Sequence, residues 1–150
     1  MGFNIVLVEP EIPTNTGNIG RLSLASGSAL HLVKPFGFEL NDKRLKRAGL
    51  DYWKHISINI YENIEDFYLK NKEANMVYFS SSATKNYTSI NFQDNMFFLF
   101  GKESVGLSKE IISNNLDKLY KIPIYTKHVR SLNLANAVSI VIYEALRNLE

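Results

Sequence analysis

The chain has 150 residues, 45% of them hydrophobic and 21% charged, with a net charge of +2. That length holds one domain, residues 1–150, able to bury roughly two thirds of its unfolded surface, and the composition excludes disorder and a fibrous repeat. No apolar run approaches the roughly 20 residues that span a bilayer, and the absence of cysteine excludes disulfides, thiolate catalysis and sulfur-ligated metal.

The chain opens directly on a strand-like run, so a soluble, cytoplasmic protein is expected. His31, His55 and His128 stand far apart, which predicts no metal site and gives each an ordinary surface or half-buried place. Short apolar runs alternate with longer amphipathic ones, the pattern of βαβ units; the expected class is α/β, a mostly parallel sheet with helices on both faces. Strands are expected at residues 3–9, 30–34, 56–61, 76–80, 96–100 and 119–124. Helices are expected at 18–26, 42–48, 64–71 and 108–115, with a long last one from about Leu132. In that last helix Leu134, Val138, Val141, Ile142, Ala145 and Leu149 form one apolar stripe, for the sheet or for another subunit.

Three loops follow strand ends, where ligands gather in open α/β sheets. In "PTNTGNIGRLSLASG" Asn18 is a candidate cap for a helix whose third position, Arg21, would project toward free backbone amides; alternatively Gly17, Gly20 and Gly27 serve close packing and a C-terminal stop. In "FGKESVGLS" no glycine stands five residues before the Gly-Lys pair, which rules out a P-loop. No G-x-G-x-x-G follows a strand, which disfavours a dinucleotide site. Glu103 then sits either in a ligand loop or in a solvated turn complementing the next helix. In "IPIYTKHVRSLNLANA" Ser131 or Asn133 can cap the last helix, yet this start carries more hydrogen-bonding groups than a cap needs.

Taken together, "NTGNIGR", "FGKESVGL" and "IPIYTKHVRSLNLANAVSIVIYEALR" resemble the three motifs of the SPOUT (SpoU–TrmD) RNA methyltransferases, and the likeness covers nearly the whole chain. "EPEIPTNTGNIGRL" and "DKRLKRAGLDYW" resemble the small single-domain branch that methylates the ribose of the tRNA wobble nucleotide, cytidine or uridine 34. The resemblance implies S-adenosylmethionine as methyl donor, no metal, a homodimer, and a C-terminal trefoil knot threading from about Val77 to the last helix. It implies cofactor contacts at Phe79, Gly101, Gly106, Ile122 and Ser131, in loops 79–81, 101–106 and 122–131. Arg21, Glu103, Ser131 and Asn133 are implied as catalytic, with Glu103 fixing Arg21 by a charge-assisted hydrogen bond. Val105 departs from the family, where arginine or a polar residue is common.

For the anticodon stem-loop of tRNA, Asn15, Arg21, Lys43, Arg44 and Arg47 are the expected contacts, with Lys46, Tyr52 and Trp53 beside them suited to phosphate binding and base stacking. The alternative for that segment is a solvated basic helix with its aromatics in the core. Two other functions stay open from sequence: a different tRNA or rRNA ribose as target, and a knotted RNA-binding protein without catalysis. In the homodimer, the stripe of the last helix and the segment "NIGRLSLAS" are expected to share the contact.

Overall fold

A computed structural model describes residues 2–150. Seven strands form one sheet: β1 (Asn4–Val8), β2 (Ala29–Val33), β3 (Ile58–Tyr61), β4 (Met76–Phe79), β5 (Lys85–Asn86), β6 (Phe97–Phe100) and β7 (Leu119–Lys121). Their order is β3-β2-β1-β6-β4-β7-β5, and every pairing is parallel. All strands therefore point one way, and the loops leaving β1, β4, β6 and β7 meet at a single edge. Among the described residues no helix is long and apolar enough to cross a membrane.

Side-chain alternation sorts the core onto two faces. Phe3, just before β1, and Ile5 and Leu7 of β1 join Ile19 of α1 (Pro13–Ala25) and Val138, Val141, Ile142 and Ala145 of α5 (Leu134–Leu149). Val6 and Val8 point the other way, toward Phe67 of α3 (Ile64–Lys70) and Ile111 of α4 (Lys109–Asn114). The α5 stripe is thus spent on its own sheet, correcting its expected role between subunits; full burial of Val138, Val141 and Ile142 stabilises by about 1.5–3 kcal/mol each. Ile140 and Tyr143 are the large apolar side chains this helix leaves exposed.

α1 begins at Pro13, five residues before the expected start, so Asn18 caps nothing and lies exposed inside the helix. Proline suits a first helical position because it has no N–H to satisfy. The helix ends as read, on Gly27 with φ +68°, where Ser28 N–H bonds back to Ser23 O at 2.7 Å. α2 (Lys43–Gly49) and the 3-10 turn after it (Leu50–His55) pack on α1. β7 stops at Lys121, before Pro123, and the two-residue β5 carried no readable pattern. His31 is buried rather than half-exposed, its ring nitrogens 2.8 Å from Tyr61 Oη and 2.9 Å from Asn4 Oδ1.

Candidate active site

Two glycines shape the turn after β6. Gly106 has φ +74°, and a Cβ on Gly101 would stand 2.1 Å from Gly106 C and from Leu107 N, so only glycine lets the turn close on itself. The closed turn projects Glu103 toward the start of α1. Its Oε1 accepts from Glu11 N at 2.8 Å, and its Oε2 accepts from Ile12 N at 2.9 Å and Asn15 Nδ2 at 3.2 Å. These amides precede the helix and lack intrahelical partners, so a residue 91 positions away supplies the cap that no local side chain provides.

The return contact runs the other way. Glu11 Oε1 accepts from Ser104 N at 2.8 Å, which, with the nearby Lys102 charge, holds the Glu11 carboxyl below its usual pKa. Lys102 Nζ pairs with Glu9 Oε1 at 3.1 Å, and Glu9 itself adopts φ +57°, the left-handed region. Asn133 links in the third loop: its Nδ2 donates to Asn15 Oδ1 at 3.1 Å while its Oδ1 accepts from Asn136 N at 3.2 Å, capping α5.

The interlocked loops surround a cavity of about 480 Å³, within the usual range for small-molecule sites. Its lining comes from residues 79–81, 100–106, Ile122, Ile124 and 130–134, with Ile12, Asn15 and Ala137. Phe79 and Phe100 stack with centroids 4.8 Å apart, giving an apolar part of the lining; serines, Arg130 and Asn133 supply polar groups. The expected cofactor residues Phe79, Gly101, Gly106, Ile122 and Ser131 all line it, as do Asn15, Glu103 and Asn133.

Arg21 does not. It lies exposed, its guanidinium carbon 5.1 Å from the centroid of the Tyr52 ring, and it makes no bond to Glu103, whose carboxylate is taken by the three donors above. Because α1 starts at Pro13, Arg21 sits in its third turn, too far along to aim at the free amides. Arg44 is likewise engaged: its Nε and Nη2 donate to Asp42 at 3.3 and 3.0 Å, holding the Asp42 carboxyl below its usual range. Lys43, Lys46 and Arg47 remain exposed on α2. Glu9, Glu11 and Arg130 were not singled out in the sequence; the acids flanking Pro10 at a strand end were the available signal.

Residues 2–143 match the model of the SpoU rRNA methylase family. The chain belongs to that family. A tRNA (cytidine(34)-2'-O)-methyltransferase of Saccharophagus degradans is 43% identical, over 98% of this chain and 96% of its own. A solved structure concerned with 2-OH methylation of C/U34 on tRNA superposes with a TM-score of 0.94 at 40% identity, covering 99% of this chain and 96% of that one. An AdoMet-bound rRNA methyltransferase of Sinorhizobium meliloti is 27% identical with a TM-score of 0.89, over 99% of this chain but 57% of its own. This SpoU-family chain is a methyltransferase.

Proposed function

We propose that the protein methylates the ribose 2′-hydroxyl of nucleotide 34, cytidine or uridine, in the anticodon stem-loop of tRNA, with S-adenosylmethionine as donor. The observation carrying this reading is the hydrogen-bonded set Glu103–Asn15–Asn133, which locks three loops around one cavity in a chain whose relatives at 40% identity or more are named for that reaction. The cavity suits the donor: an apolar wall at Phe79 and Ile122 for a flat ring, glycine backbone at Gly101 and Gly106 for close approach, and Ser131 for a polar edge. When bound, S-adenosylmethionine supplies an electrophilic methyl group on a sulfonium centre.

The chain's own residues then have a positioning task. Glu103 acts by fixing the start of α1 and Asn15, and Asn133 carries that fix to the third loop. Arg21 orients the hydroxyl and its phosphate and offsets developing negative charge; a guanidinium holds its own protons too tightly to act as a base, so the hydroxyl proton is released to solvent water. Since Arg21 does not line the cavity of its own chain, the working unit in this reading is a homodimer in which Arg21 of one protomer serves the cavity of the other. The segment from about Val77 through α5 forms the family's trefoil knot, Lys43 and Arg47 grip RNA phosphates, and the reaction takes place in the cytoplasm with its tRNA. Labelled methyl transfer into a mixture of unmodified tRNA and rRNA tests the reading: the label is expected in tRNA, in a dinucleotide resistant to alkaline cleavage, and label confined to rRNA contradicts it.

A further inference from the structure

The glycine one position before Arg21 has a mechanical explanation. A Cβ on Gly20 would stand 2.9 Å from Ile56 Cδ1 and 3.0 Å from Trp53 Cζ3, so the missing side chain is the seat on which the Trp53 ring rests. Trp53 in turn anchors the 3-10 turn (Leu50–His55) against α1, and the next residue back, Tyr52, is thereby laid under the Arg21 guanidinium. An arginine side chain on an open helix face otherwise samples many rotamers. Tyr52 offers a flat, electron-rich face that favours one of them.

We propose that Tyr52 is a positioning residue for methyl transfer: seated by Trp53 on Gly20, it holds Arg21 in the direction the reaction uses. This rests on the role given to Arg21 above. It differs from a base-stacking role for Tyr52, in which the ring would meet RNA directly. The Tyr52 hydroxyl has no hydrogen-bond partner among the described residues, so the ring face is what acts.

The test compares Tyr52→Ala, Tyr52→Phe, Arg21→Ala and the double variant Arg21→Ala/Tyr52→Ala as full-length proteins. Single-turnover methylation at saturating tRNA, KM for tRNA, affinity for S-adenosylhomocysteine and melting temperature are measured on each. Tyr52→Ala is expected to slow the chemical step about two- to fivefold, the scale of one exposed cation–π contact, with KM and cofactor affinity unchanged. Tyr52→Phe should restore the rate, and in the Arg21→Ala background the Tyr52→Ala change should add nothing. A raised KM at unchanged rate, or an equal loss in the Arg21→Ala background, overturns the proposal. Arg21→Ala turning over near normally would instead overturn the role of Arg21 itself. If Tyr52→Ala melts much earlier, Tyr52→Leu, which keeps bulk without a π face, takes its place with the same expected loss.

Discussion

Asn15 and Asn133, 118 positions apart, share a hydrogen bond of 3.1 Å that joins the first loop to the last helix. Asn133 has two tasks on two atoms, the bond to Asn15 through Nδ2 and the cap of α5 through Oδ1. A serine can do the second but not reach for the first. Asn133→Ser should therefore melt within about 2 °C of the parent yet lose methylation, whereas Asn133→Ala should also lose the cap, about 1 kcal/mol, or roughly 2–4 °C. Thermal melting and methylation on the same preparations check both.

Glu103 accepts from three donors, so a neutral isostere cannot replace it. Glu103→Gln turns one acceptor into an N–H pair facing another N–H, and hydrogen bonds to a charged group contribute about 1.5–3 kcal/mol. The variant is expected to melt earlier and to bind S-adenosylhomocysteine at least about tenfold more weakly, because the same turn lines the cavity. Calorimetry and melting decide this; a stable Glu103→Gln protein that binds normally but fails to react would make Glu103 a direct participant in the chemistry.

Six of the seven strands and the α/β class were legible because β-type apolar runs and glycine-bounded loops are local signals, and residues 79–81 and 101–106 line one cavity with Ile122, Ile124, Arg130 and Ser131 from the third loop. The start of α1 was not legible, since its cap is Glu103, distant in sequence, and a local reading therefore chose Asn18. The same error misdirected Arg21. Nor could periodicity tell that Val138, Val141, Ile142 and Ala145 face their own sheet, because an apolar stripe looks alike whichever surface covers it. The resemblance to a family supplied reaction and cofactor; spacing alone left each loop ambiguous.

Gly101 admits no side chain: the clash of a Cβ is with backbone, which cannot swing aside. Gly101→Ala should open the turn, at a cost of about 1–3 kcal/mol, roughly 3–10 °C in melting temperature, and abolish measurable S-adenosylhomocysteine binding. Gly27→Ala, strained by its φ of +68° but remote from the cavity, is expected to melt earlier while keeping cofactor affinity, and so serves as the control.

Burial lowers the pKa of His31 to about 4, from 6.5 in the unfolded chain. The folded protein keeps the ring neutral while the unfolded chain takes up a proton between those values, so this contribution is fully present above about pH 6.5 and is lost as pH falls toward 4. The loss approaches about 3 kcal/mol at the acid end. Denaturant titrations from pH 7 to 4.5 should show it, and His31→Gln should flatten the slope across that window; an unchanged slope would remove His31 as the cause.

In the proposed reaction one ribose hydroxyl, at nucleotide 34, receives the methyl group. A synthetic anticodon stem-loop with a single 2′-deoxy substitution at that nucleotide, compared with the same stem-loop deoxy at nucleotide 33, tests it most directly. No methyl incorporation is expected into the first and near-normal incorporation into the second, read by mass spectrometry of the nuclease digest. Equal incorporation into both would contradict it.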